Sequence, residues 1–179
     1  MENESTALVV IDVQEKLVPA MQDAEVLVAQ ICRLLRGAAV LDLPVLATEH
    51  VPEKLGPTVP AVAEAWPGDC APMRKQTFSC CADAAFMEQL AGLGRRTVLL
   101  CGIESHVCVA LTAMDLLAAG YEVQVVSDAV SSRLASNSEL GLRRIERAGG
   151  IRTGVEMALF ELQREAAGGR FRSLLRVLR

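Results

Sequence analysis

The sequence predicts an α/β protein: a three-layer α/β/α, Rossmann-like arrangement around a doubly wound, mostly parallel sheet of about six strands. Apolar runs that stop at a polar residue alternate with amphipathic helical stretches along the whole chain. Apolar residues make up 51% of the composition while aromatics supply only 3%. The core must therefore be built from Ala, Val, Leu and Ile, which suits a sheet buried on both faces. A length of 179 residues fits one domain spanning the chain.

In chain order, TALVVID at 6–12 reads as a buried strand with Asp12 at its carboxyl end, and 22–38 as an amphipathic helix. LPVLATE at 43–49 is a second strand, followed by a long loop carrying Pro52, Gly56, Pro57, Pro60 and Pro67. PMRKQTFS at 72–79 reads as a short strand or extended segment, and 82–93 as a helix stopped by Gly94. RRTVLLCG at 95–102 is the third clear strand, a helix runs from about 106 to 119, and YEVQVVSDAV is the fourth. A helix at 137–148 precedes a short last strand in GGIRTG. Thr153-Gly154-Val155-Glu156 then fits a capping box opening the helix ALFELQREA. The tail GGRFRSLLRVLR has the pattern of a basic amphipathic helix, read as one docking on the same domain or a neighbouring subunit.

Composition excludes several functions. The net charge is −4 and no basic run stands apart from acidic neighbours before the last ten residues, so nucleic acid is not an expected partner. The opening MENESTALVVIDVQE lacks the basic start and long apolar middle of a signal peptide. No apolar run approaches the ~20 residues of a membrane span, so no membrane partner and a cytoplasmic location are expected. The six cysteines, Cys32, Cys70, Cys80, Cys81, Cys101 and Cys108, show no C-x-x-C pair and read as free thiols. With only His50 and His106 present, a three-histidine zinc site is impossible. No P-loop occurs, and Gly92-Leu93-Gly94 precedes a strand instead of following one, which weakens a nucleotide-binding reading.

Ligands of doubly wound folds bind beyond the carboxyl ends of the strands. That rule selects Asp12, Thr48, Glu49, the segment from Cys101 to Ser105, and Asp128. Cys108 falls in the first turn of the helix after the third clear strand, where unpaired N–H groups favour an anion and ease ionisation of a thiol. It reads equally as a small buried apolar residue. His106 lies two positions away, which on a helix turns it to a different face, so a carboxylate such as Asp12 is the better base. Asp12 is also a plausible turn or cap residue, and Lys75 a plain surface lysine. If the three meet, the ammonium of Lys75 would hold the carboxylate and the thiolate together.

The segments ALVVIDVQEKLVPAM, MRKQTFS and CGIESHVCVALTAMDLLAAGYEVQVVSDAVSSR resemble, in order, the isochorismatase-like cysteine hydrolases. The wording GIESHVC is most similar to the isochorismatase-domain branch rather than to nicotinamidases. The resemblance implies an Asp-Lys-Cys triad at Asp12, Lys75 and Cys108. It also implies a non-proline cis peptide between Ile103 and Glu104 and an oxyanion hole of backbone N–H groups that includes Cys108. The implied activity is hydrolysis of a small amide, carbamoyl or ester compound through a thioester, with no cofactor and in a homo-oligomer. Nicotinamidases carry an Asp-x-His metal motif after the second strand, where this chain has Thr48-Glu49-His50-Val51, so no metal is expected. Gln14, Leu17, Glu49, His50, Phe78 and Ser105 are candidates to line the substrate pocket, Gln14, Leu17, Phe78 and Ser105 reading equally as supporting or packing residues, and Glu104 is either a substrate contact or a helix N-terminal acid. The competing reading is a binding or scaffold protein that keeps the fold without turnover.

Overall fold

The computed structural model of the chain describes residues 1–68 and 70–179. Six parallel strands form one sheet in the order β3-β2-β1-β4-β5-β6. They are β1 (Thr6–Ile11), β2 (Val45–His50), β3 (Met73–Lys75), β4 (Thr97–Ile103), β5 (Glu122–Ser131) and β6 (Ile151–Thr153). All strands being parallel, each needs a crossover, and among the described residues eight helices provide the covering. These are α1 (Ala24–Val40), the one-turn α2 (Pro52–Leu55) and α3 (Pro60–Ala63), α4 (Ala84–Gly92), α5 (Ala110–Ala118), α6 (Ala135–Arg147), α7 (Val155–Gln163) and α8 (Gly168–Leu178).

The period-two alternation of β1 divides the core into two layers. Leu8 and Val10 face a cluster with Ile31, Leu34 and Leu35 of α1, Leu159 of α7 and Leu174 of α8. Ala7, Val9 and Ile11 face the opposite cluster, with Phe86 and Leu90 of α4, Leu116 of α5 and Ile145 of α6. Every residue of β1 and β4 is buried, which is why both read as unbroken apolar runs. The tail docks on the same chain: Leu174 of α8 is fully buried, while its arginines stay at the surface.

Some elements depart from the sequence pattern. The segment at 72–79 keeps only three residues of strand, because 76–79 bends back over the end of β3. The helix at 82–93 starts later, at Ala84, where the carboxylate of Asp83 accepts from the N–H groups of Ala85 and Phe86. The capping box at Thr153 does not form. The Thr153 hydroxyl is buried without a partner, and Asp128 caps α7 instead, its Oδ1 accepting from Val155 N–H at 2.9 Å. Asp128 is thereby a capping residue of the fold rather than a strand-end candidate for chemistry. The helix after β4 opens as one wide, π-type turn at Ser105–Val109 before α5 begins.

Two glycines permit close approaches beside that turn. Gly102 has φ +114°, and a Cβ there would lie 2.1 Å from the carbonyl oxygen of Ile11. On α6, a Cβ at Gly141 would lie 2.6 Å from the carbonyl oxygen of Ser105 and 2.7 Å from Cα of His106. Substituting Gly141→Ala should push α6 off the turn and cost roughly 1–3 kcal/mol, read from the urea midpoint. An unchanged midpoint would mean that α6 does not hold the turn.

Candidate active site

Strand order reverses between β1 and β4, so their outgoing connections lead to opposite sides and leave a crevice at their carboxyl ends. Asp12 sits directly at that point, one residue beyond the Ile11–Gly102 register pair. Its φ of +54° is a left-handed conformation that Asp tolerates better than most residues. Its N–H donates to the Thr48 carbonyl at 3.1 Å, which carries the pairing with β2 one step past the strand.

Lys75, the last residue of β3, reaches across the end of β2. Its Nζ lies 2.6 Å from Asp12 Oδ2, and the two side chains are 2% and 1% exposed. The ammonium also donates to the carbonyls of Thr77 at 3.1 Å and Phe78 at 3.3 Å, so the bend at 76–79 uses its remaining two protons. Burial, the largest single influence, pulls the Lys75 ammonium down, but the opposing effects of its neighbours, Asp12 first among them, together hold the group above its ordinary value. On the other carboxylate oxygen, the Thr48 hydroxyl donates to Oδ1 at 2.8 Å.

Cys108 approaches from the turn that follows β4. The Ile103–Glu104 peptide bond is cis. The Glu104 carbonyl accepts from Val107 N–H at 3.0 Å and Val109 N–H at 3.2 Å, folding the chain tightly around the thiol. Cys108 is 7% exposed. Burial first, and then the charge of the Asp12 carboxylate, push its thiol well above the usual range against the pull of Lys75. Position in a first helical turn suggested easier ionisation; desolvation and the adjacent carboxylate reverse it, and the sulfur rests as a neutral thiol beside a base. Asp12, Lys75 and Cys108, far apart in sequence, are thus gathered at one crevice.

Around them the candidates divide. The His50 ring stacks on Phe78 with centroids 5.5 Å apart, and Phe78 is 56% exposed. Burial, then the Lys75 ammonium, hold the His50 imidazole below its ordinary value against the opposing Asp12 carboxylate, leaving it neutral at pH 7. Gln14, Leu17, Glu49 and Ser105 have partners within the fold. A buried amide must find hydrogen-bond partners, and Gln14 finds them in main chain: Nε2 donates to the carbonyls of His50 and Gly56, while Oε1 accepts from His50 N–H. Glu49 Oε1 accepts from both the N–H and the hydroxyl of Thr58, pinning the loop after β2. Leu17 packs on the α1 side of the core, and the buried Ser105 hydroxyl pairs with that of Ser138 at 3.0 Å. Glu104, which precedes the Ser105–Val109 turn, binds Arg133, accepting from its N–H at 3.2 Å and its Nε at 3.1 Å. His106 is turned to Ser132. Sequence reasoning missed Cys80 and Thr112, which meet behind Thr48 at a 3.0 Å bond from Cys80 N–H to the Thr112 hydroxyl. Neither ends a strand, so no periodicity could have pointed to them. Among the described residues, no three His, Cys, Asp or Glu side chains cluster so as to hold a metal ion.

Sheet order and crevice define the class: a three-layer α/β protein whose acid, ammonium and thiol meet at the strand-order switch. The model of the isochorismatase domain matches residues 6–157, and the chain belongs to the isochorismatase-like hydrolase family. Isochorismatase domain-containing protein 2A of Mus musculus is 36% identical over 177 residues, 98% of this chain and 84% of that protein. The secreted isochorismatase effector Isc1 of Phytophthora sojae is 34% identical, covering 98% of this chain and 85% of the relative. Among solved structures, the MAR1 ribonuclease from Caenorhabditis elegans superposes with TM-score 0.94 at 32% identity, covering 99% of this chain and 91% of that one. No helix among the described residues is long and apolar enough to cross a membrane.

Replacing Lys75→Met strands a buried carboxylate and should cost about 3–5 kcal/mol in urea denaturation, with the double variant Asp12→Asn/Lys75→Met recovering most of it. Because the Lys75 value in the folded protein lies above the ordinary 10.5, its contribution is complete below about pH 10.5 and is lost as pH rises through the folded value. The parent should therefore lose stability more steeply than Lys75→Met in that alkaline window. A single variant as stable as the parent would contradict the ion-pair account.

Proposed function

We propose that the chain is a cysteine-dependent hydrolase of a small amide, carbamoyl or ester compound, amidase-type chemistry fitting it best. The observation that carries this reading is the buried Cys108 thiol held beside the carboxylate of a buried, fully bonded Asp12–Lys75 pair. A carboxylate whose cation is fixed in place can accept a proton without leaving its site, and a thiol is the strongest nucleophile among the groups there. The near-closed surroundings of Cys108 favour a small substrate.

In the first half-reaction the sulfur bonds to the carbonyl carbon while its proton passes to Asp12 and the carbonyl electrons move onto oxygen. Backbone donors of the turn that joins Ile103 and Glu104 to Cys108 receive that oxyanion. As the tetrahedral centre collapses, the carbon–nitrogen bond breaks and the leaving nitrogen takes the proton from Asp12, releasing ammonia or an amine. In the second half-reaction Asp12 draws a proton from water as the hydroxyl oxygen bonds to the thioester carbon. The carbon–sulfur bond breaks, the proton returns to sulfur, and a carboxylic acid departs. Lys75 balances the negative charge shared by carboxylate and sulfur throughout, and in this reading the stacked His50–Phe78 pair lines the approach to them.

The chain works without a cofactor in this reading, in the cytoplasm, where six free thiols stay reduced. It self-associates into a homo-oligomer through exposed apolar side chains such as Leu134, Leu140 and Ile151. The ribonuclease name of the Caenorhabditis elegans neighbour is not carried into this reading, a net charge of −4 disfavouring a polyanionic substrate. A binding protein without turnover is the second reading, favoured by the raised thiol value and the small exposure of Cys108.

A panel of small amides, carbamoyl compounds and esters, assayed for amine or acid release, should yield a substrate whose turnover falls at least about a thousandfold in Cys108→Ala. The variant should keep the parent's melting transition. Turnover surviving within roughly tenfold in that variant would remove the thiol from the reaction, and a panel without any turnover would favour the binding protein.

A further inference from the structure

Thr48 touches the carboxylate that this reading makes the base, yet no part of the reaction above uses it. It stands opposite Ile11 in the β1–β2 register and is 2% exposed, so its hydroxyl lies beside Asp12 with almost no water to share. The Thr48 hydroxyl donates its single proton to Asp12 Oδ1, at 2.8 Å. The lone pairs of the hydroxyl are then free to accept, and Cys80 Sγ stands 3.8 Å away. Burial first raises the Cys80 thiol, which keeps its proton, and its N–H is tied to Thr112. The bonds therefore run one way: Cys80 S–H to Thr48 O–H to Asp12. Lys75 holds the other oxygen, Oδ2, so the carboxylate plane is gripped at both ends.

We infer that Thr48 is a positioning residue of the thiol chemistry, orienting the Asp12 carboxylate so that it can take the Cys108 proton. This rests on the thiol-hydrolase reading. Facing that carboxylate are the Lys75 ammonium from β3, the thiols of Cys108 and Cys80, and the His50 imidazole from the end of β2. The Thr48 hydroxyl adds the neutral donor. A carboxylate that loses such a donor binds its proton more tightly.

The test is alkylation of the whole protein by iodoacetamide, followed at the Cys108 peptide by mass spectrometry as a function of pH. In that reaction a sulfur–carbon bond forms, iodide leaves and the thiol proton passes to Asp12. The parent profile should show a low-pH limb that disappears in Asp12→Asn. Thr48→Val should move the midpoint of the limb up by about one pH unit, and Thr48→Ser should return it to the parent position. Should the valine variant fail to fold, Thr48→Ala is read in the same way. A hydroxyl that merely packs β2 would lower the melting temperature without moving the limb, and superimposable parent and Thr48→Val profiles would overturn the inference while leaving the thiol reading intact. A parent profile indifferent to Asp12→Asn would overturn both.

Discussion

The structure turns on one buried ion pair. Taking a carboxylate and an ammonium out of water costs several kcal/mol for each ion, and their attraction offsets that only when every remaining proton and lone pair finds a partner. Here the 2.6 Å contact between Lys75 and Asp12 is completed by the carbonyls of Thr77 and Phe78 and by the Thr48 hydroxyl. The local architecture follows from those requirements. β3 stops after three residues so that the chain can bend its carbonyls over the ammonium, and β2 presents a small hydroxyl where an apolar side chain would leave an oxygen without a donor.

That pair also decides the state of the sulfur. A thiol facing a lone lysine would ionise readily; facing a carboxylate already matched to its lysine, and buried, it keeps its proton. The proposed reaction therefore calls for proton transfer at the moment of attack rather than for a standing thiolate. Strand order makes the arrangement available, because the reversal between β1 and β4 opens a crevice where an acid from one strand end meets a thiol from the other's connection.

Much of this was legible in the residues. Fully buried strands such as β1 and β4 show as unbroken apolar runs, and the polar residue that ends each run marks the edge where ligands bind. The three long-range partners were recognisable because each sits in a distinctive local segment. What failed were inferences about polar side chains whose partners lie elsewhere in the chain. For Gln14 and Glu49 no local pattern announced the partners, the main chain at Gly56 and at Thr58, brought over by the returning loop. Thr153 fitted a capping pattern, but Asp128, arriving from β5, reached the helix terminus instead.

By itself, then, the sequence determined the layers of the fold, the strand ends that bear polar groups and the family, since periodicity and contiguous segments are local properties of a chain. Tertiary structure alone decided which polar atoms are satisfied by backbone, which way the thiol's ionisation moves, and that Thr48, Cys80 and Thr112 meet behind the acid. Those outcomes depend on burial and on distances between strands, and neither is a property of neighbouring residues.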